Sequence, residues 1–150
     1  MSGAIRGGCQ CGAIRYAIGG PLFGSHICHC RMCQKAFGNF FAALAGVMKT
    51  DLQWIKGAPA YYRSSSIVRR GFCAHCGTPL TFAYDHTAHM NISIGSLDNP
   101  SLAKLESQFG LESMLPAFPV LHLLPGSRTE DDISAEDLHR LESRQNPDHD

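Results

Sequence analysis

The chain has 150 residues, a length that suits one domain with a sizeable core. Its 44% hydrophobic and 17% charged residues are typical of a globular protein, and its 13 basic residues balance 13 acidic ones. This balance argues against a nucleic-acid-binding protein, which usually has a basic face. No apolar run reaches the ~18 residues that a membrane span needs, and no signal-peptide pattern opens the sequence. We therefore expect a cytoplasmic protein that binds neither nucleic acid nor membranes.

Seven cysteines carry most of the chemical information in this sequence. An odd number of cysteines cannot all pair within one chain, and cytoplasmic thiols are kept reduced. Close spacings such as C-x-C and C-x-x-C are then typical of metal binding. Zinc usually takes four ligands in a tetrahedron and favours thiolates in structural sites. The cysteines therefore predict bound zinc.

The first cluster, Cys9 and Cys11, lies in the segment GGCQCG. After it, Ile14, Tyr16 and Ile18 alternate with smaller or polar residues, which is the pattern of a half-buried strand. The glycines around the cysteines suit a tight turn. We predict a hairpin that presents two thiols at its tip.

The second cluster, in CHCRMC, contains Cys28, Cys30 and Cys33. In an extended segment Cys28 and Cys30 share a face, and a C-x-x-C turn returns Cys33 to the same point. The third cluster, Cys73 and Cys76 in FCAHCGTPL, resembles a zinc-ribbon knuckle, in which the C-x-x-C-G turn joins two strands.

The rest of the sequence predicts a mainly β fold with short helices. We expect strands within 40–47, 51–55, 60–65 and 67–72, another through Met90, Ile92 and Ile94, and a last one within 116–126. Ser134 predicts the cap of a helix over 134–144, with Ile133 and Leu138 at staple positions, followed by a polar tail. The core is expected over about residues 5–125 of a single domain, 1–150.

A C-x-C pair and a C-x-x-C pair together supply four thiolates. Cys9, Cys11, Cys73 and Cys76 form such a set, although the spacing also permits other pairings, and core cysteines are an alternative. Cys28, Cys30 and Cys33 then remain, and the chain has no eighth cysteine that could complete a second set of four thiolates. This second site is either closed by a histidine or catalytic, with a coordination position for substrate. The candidate histidines are His26, His29, His75 and His122.

Arginines in the middle of the chain have two interpretations. Arg69 and Arg70 form a short basic cluster that we interpret as a solvated strand edge. Together with Arg63, they are also candidates to contact the carboxylates of a small ligand.

The segments GGCQCGAIRY, CHCRMCQKAFG, RGFCAHCGTPL and IGSLDNP occur in this order and resemble the glutathione-dependent formaldehyde-activating enzyme family. The resemblance implies a β-tent, a fold of antiparallel sheets with zinc knuckles that is similar in shape to methionine sulfoxide reductase B. It also implies two zinc ions per chain. The structural zinc would be bound by Cys9, Cys11, Cys73 and Cys76. The second, associated with glutathione and the reaction, would be bound by Cys28, Cys30 and Cys33.

The activity implied by this resemblance is that of a carbon-sulfur lyase. The reaction condenses formaldehyde with glutathione to S-(hydroxymethyl)glutathione, so a thiol and an aldehyde are the expected partners. The alternative is a non-catalytic thiol carrier or protein-interaction module on a zinc-stabilised scaffold.

Overall fold

The computed structural model describes residues 3–147 and shows a mainly β fold with short helices, as predicted. The ten strands are β1 Ile5–Gly8, β2 Arg15–Ile18, β3 Phe23–Cys28, β4 Ala42–Met48, β5 Leu52–Lys56, β6 Ala60–Arg63, β7 Val68–Phe72, β8 Pro79–Tyr84, β9 His89–Ser93 and β10 Ser107–Phe109. The α-helices are α1 Arg31–Phe37, α2 Thr129–Asp132 and α3 Ala135–Arg140. In the described part of the chain, no helix has both the length and the apolar character needed to cross a membrane.

The strands form two sheets. The smaller has the order β1-β2-β5 and the larger the order β10-β3-β4-β9-β8-β7-β6. Neighbouring strands are antiparallel except for β10, which pairs parallel to β3. The pairing of β10 places the segment after the GSLDNP turn beside the second cysteine cluster, because Phe109 is in register with Cys28.

The main core contains residues of both sheets, and it includes Ile14, Tyr16 and Ile18, as their alternation predicted. Tyr16 is fully buried, and its hydroxyl forms a hydrogen bond of 2.8 Å with the Ser96 hydroxyl. A buried hydroxyl without a partner costs free energy, so this bond stabilises the packing of the hairpin on the 93–99 turn. An isolated bridge between Gly7 and Leu97 joins the same two regions.

The prediction of a strand within 116–126 is wrong. Phe118–Leu123 forms a 3₁₀ helix instead, and the last strand is Ser107–Phe109. Pro116 and Pro119 provide the physical reason, since proline cannot donate a backbone hydrogen bond to a strand ladder. A fixed proline φ is compatible with the first positions of a helical turn.

The predicted C-terminal helix is present but shorter, because α3 ends at Arg140. Ser134 caps it as expected, with its Oγ atom accepting a hydrogen bond of 3.1 Å from the Asp137 amide. Leu138 and Leu141 remain exposed. The chain then returns to the first cysteine turn, where the Asn146 amide donates to the Gln10 carbonyl at 2.7 Å. The final part of the predicted polar tail, 148–150, lies outside the described residues.

Candidate metal centres

Four cysteine sulfurs from opposite parts of the chain meet in the first centre. The Sγ atoms of Cys9, Cys11, Cys73 and Cys76 all lie within 4.8 Å of one another. The Cys9–Cys11 and Cys11–Cys73 sulfur distances are 3.6 and 3.8 Å. A zinc–sulfur bond of about 2.3 Å gives sulfur corners about 3.8 Å apart in a tetrahedron. The four donors therefore fit a zinc ion in both number and spacing.

The N-terminal turn holds its pair of thiols through the hairpin backbone. The Cys9 amide donates to the Ile14 carbonyl at 3.0 Å, and the Ile14 amide lies 3.2 Å from the Cys9 sulfur. Gly12 has a φ of 73°, a left-handed conformation that favours glycine. The two strands of the hairpin thus place both sulfurs at its tip, as predicted.

The second turn of this centre is the predicted knuckle between β7 and β8. The Gly77 amide donates to the Cys73 carbonyl at 2.9 Å, and the Thr78 hydroxyl accepts from the Gln10 amide at 3.0 Å. This hydroxyl also lies 3.1 Å from the Cys76 sulfur. Burial opposes ionisation of Cys76, but the hydrogen bonds from Thr78 prevail and lower the pKa of this thiol to about 6. The thiolate is the form that binds metal.

Three sulfurs meet in the second centre. Cys28 ends β3, Cys30 is the N-cap of α1, and Cys33 lies in the first turn of that helix. The predicted C-x-x-C turn is therefore helical, with the Cys33 amide 3.4 Å from the Cys30 sulfur. The three Sγ atoms lie within 4.8 Å of one another.

Arg70 is a component of this centre that the sequence analysis misassigned. It is 7% exposed, and its two terminal guanidinium nitrogens lie 3.6 and 3.7 Å from the Cys33 sulfur. The interpretation as a solvated strand edge is wrong because β7 has neighbours on both sides. Arg69 does face solvent, where it pairs with Asp85 at 2.9 Å. In a strand, Val68 and Arg70 lie on the same face of β7. The apolar Val68 was therefore the sequence feature that could have indicated that Arg70 faces the interior.

The surroundings of Arg70 hold its guanidinium in place. Its Nε atom donates to the Ser64 hydroxyl at 3.2 Å, and the guanidinium lies 4.8 Å from the centroid of the Phe82 ring. The pKa of the Cys33 thiol is lowered to about 5 by its hydrogen bond with Cys28, and also by Arg70, against the opposing effect of burial. The same bond with Cys33, together with burial, raises the pKa of Cys28. The centre thus favours a thiolate at Cys33.

None of the four histidines considered as ligands contributes a nitrogen to the cluster of three sulfurs. Within residues 3–147, no histidine nitrogen or carboxylate oxygen joins the three sulfurs. His26 bonds to the Gly24 carbonyl at 2.8 Å, and His75 and His122 are exposed. His29 is fully buried, with Nε2 2.9 Å from Gln108 Oε1 and its ring centroid 4.6 Å from that of Phe118.

A cavity of about 340 Å³ lies beside the three sulfurs. Its polar lining includes Arg70, the three cysteines, His26, Ser64 and Asn91, and its apolar lining includes Leu44, Val68, Phe82 and Phe109. An apolar cavity with a few converging polar groups is the usual form of a small-molecule site. The second centre therefore has space for a ligand next to its sulfurs.

Comparison with known proteins agrees with this arrangement of cysteines. A family model described as "Glutathione-dependent formaldehyde-activating enzyme" matches residues 4–111, a range that contains all seven cysteines. The crystal structure of a Rhodobacter sphaeroides protein, a structural genomics target, is similar with a TM-score of 0.56 and 21% sequence identity. The similarity covers 69% of this chain and 99% of the other. At this identity, the similarity is informative about the fold alone.

Proposed function

Because the chain belongs to the glutathione-dependent formaldehyde-activating enzyme family, we propose that it is a zinc-dependent enzyme of the carbon-sulfur lyase type. It would form or break the adduct of an aldehyde with glutathione or a similar thiol, as in S-(hydroxymethyl)glutathione synthesis. The observation that carries this proposal is the convergence of the Cys28, Cys30 and Cys33 sulfurs beside a cavity.

The two centres would have different roles because they offer different numbers of donors. Cys9, Cys11, Cys73 and Cys76 supply all four corners of a tetrahedron, the arrangement of a structural zinc site. Cys28, Cys30 and Cys33 supply three corners. The thiol sulfur of the substrate would supply the fourth.

Zinc bound by the three cysteines would supply a position at which a substrate thiol binds as its thiolate. Three thiolates around a divalent ion carry one net negative charge, which would repel a further thiolate. The Arg70 guanidinium, 3.6 Å from Cys33 Sγ, compensates this charge. Arg70 thereby makes the centre more receptive to an anionic sulfur.

In the proposed reaction, the substrate sulfur attacks the aldehyde carbon and forms a C–S bond. The π electrons of the C=O bond move to the oxygen, which takes up the proton that the thiol released. The reverse reaction breaks the same C–S bond. A metal-bound thiolate is less nucleophilic than a free one, so the protein would contribute chiefly by positioning the reactants. Phe82, which lies partly buried in the cavity wall, would exclude water from them.

A rate measurement tests the proposal, because the reaction also proceeds without protein. The wild type should form S-(hydroxymethyl)glutathione faster than the same mixture of glutathione and formaldehyde alone, and Cys30→Ser should remove the increase while keeping the fold. Cys30 suits this test because it is only half-buried. No rate increase for the zinc-loaded wild type would refute the enzymatic proposal.

The alternative function is a non-catalytic thiol carrier or protein-interaction module on the same scaffold. It is favoured by exposed apolar side chains in the later part of the chain, including Phe109 of the cavity wall at 67% and Leu123 at 69%. This alternative predicts that glutathione or a protein partner binds, with no increase in the rate of adduct formation.

A further inference from the structure

A second cavity, of about 530 Å³, adjoins the cavity beside the three-cysteine centre. Met32, Ser64 and Arg70 line both cavities. Because these residues are shared, we treat the two adjoining cavities as one recess, with the cysteine sulfurs in the lining of one end. A ligand held by its sulfur at that end would extend into the second cavity, which we call the cationic end.

The cationic end has a strong excess of positive charge. Arg31 and Lys35 line it together with Arg70, and the first two lie four positions apart on α1, so they share a helix face. Like charges at this spacing destabilise a helix slightly. Across residues 3–147, none of the three cations has a carboxylate within ion-pair distance. Arg70 is compensated by the three-cysteine centre, and Arg31 donates to the neutral Gln34 side chain. The charges of Arg31 and Lys35 are therefore the ones available for an anionic ligand.

Two other arginines, Arg63 and Arg69, do have a carboxylate partner. Arg63 and Arg69 both bond to the Asp85 carboxylate, at 2.8 and 2.9 Å. These two were also expected as candidates to contact a carboxylate ligand, but their charge is already compensated. Only Arg70 of that group lines the recess.

We propose that Arg31 and Lys35 bind a carboxylate of the substrate while its thiol lies at the three-cysteine centre. The site thereby selects thiols that carry a carboxylate remote from the sulfur over neutral thiols. Tyr62 lines the second cavity and Met32 lines both, so these side chains would contact the carbon chain of such a ligand. This inference rests on the proposed function, since it requires a thiol at the second centre.

The test compares binding of two thiols by calorimetry of the zinc-loaded protein. Glutathione has two carboxylates and 2-mercaptoethanol has none. The double variant Arg31→Gln, Lys35→Gln should raise the Kd of glutathione about tenfold, as expected for the loss of two partly exposed charge contacts. Its Kd for 2-mercaptoethanol should not change. The control, Lys56→Gln with Arg128→Gln, removes the same charge from exposed positions outside both cavities.

The control variant should bind both thiols as the wild type does. Equal glutathione affinity in the wild type and the Arg31, Lys35 double variant would overturn the inference and leave the proposed function intact. Equal losses for both thiols, or for both double variants, would also overturn it. If the wild type binds neither thiol, the proposed function and this inference both fail.

Discussion

The guanidinium of Arg70 lies 3.6 Å from the sulfur of Cys33, and Arg70 is almost completely buried. A buried cation is costly unless a negative charge compensates it. Here the compensating charge comes from a thiolate of the three-cysteine centre, since no described carboxylate pairs with Arg70. Arg70 and this centre are therefore electrostatically interdependent.

The first prediction concerns this interdependence. Arg70→Gln should lower the zinc affinity of the second centre by roughly tenfold or more, the usual effect of losing a group that hydrogen-bonds to a metal ligand. Competition with a chromophoric chelator measures the affinity. Arg69→Gln is the matched control, because Arg69 is next to Arg70 in the sequence but is exposed and pairs with Asp85. Equal zinc affinities for the two variants would contradict the role of Arg70.

The second prediction separates the two centres. Cys73→Ala should give insoluble or unfolded protein, because structural zinc contributes roughly 10–16 kcal/mol of apparent binding free energy, much of it expressed as folding. Cys30→Ala should give folded protein that contains one zinc ion. Native mass spectrometry and circular dichroism measure zinc content and fold. A soluble, folded Cys73→Ala variant with one zinc would reverse the assignment.

A third prediction concerns the ion pair between Arg15 and Asp98, which joins the first hairpin to the 93–99 turn. The two pairs of atoms lie 2.8 and 2.6 Å apart, and Arg15 is buried. Asp98→Asn should lower the free energy of unfolding by about 2 kcal/mol, because it removes the carboxylate that accepts two charge-assisted hydrogen bonds from a buried guanidinium. Urea denaturation measures this loss. Asp85→Asn, which affects two ion pairs at the surface, should cost much less. Similar losses of unfolding free energy in the two variants would contradict this prediction.

The fourth prediction follows from the buried hydroxyl of Tyr16. Burial raises the pKa of Tyr16 in the folded protein, so the folded state keeps this proton at a pH where the unfolded chain, with a pKa of about 10, loses it. The resulting stability is complete below pH ~10 and falls as the pH rises further.

Tyr16→Phe removes this pH dependence and also the hydrogen bond with Ser96, at a cost of about 1 kcal/mol near neutral pH. The stability difference between wild type and variant should therefore shrink from pH 8 to pH 11, as measured by urea denaturation. A constant difference over that range would contradict the predicted effect of Tyr16. Tyr62→Phe, at an exposed position, is the control.

The sequence predicted those parts of the fold in which neighbouring residues form a recognisable pattern. The alternation of Ile14, Tyr16 and Ile18 gave the hairpin, and the C-x-x-C-G spacing at Cys73 gave the knuckle. The spacing of the seven cysteines left several groupings open, and the grouping that the family resemblance implied agrees with the two clusters of sulfurs in the structure.

The features that were missed depend on contacts between distant segments. The parallel pairing of β10 with β3 joins residues about eighty positions apart, and no local pattern encodes it. Phe118 packs on His29 from a 3₁₀ helix, although its apolar neighbours resemble a strand. The burial of Arg70 also requires the neighbouring strands and the thiols, because an arginine in a short strand is more often exposed.

The most direct test of the central claim is a glutathione titration of the protein with cobalt in place of zinc, followed by cobalt-thiolate absorption. The account predicts that about half of the bound cobalt changes its spectrum, since one of two centres accepts a further thiolate. S-methylglutathione, which has no free thiol, should cause no such change. With two cobalt ions bound, an unchanged spectrum at saturating glutathione would contradict the claim that the three-cysteine centre binds a substrate thiol.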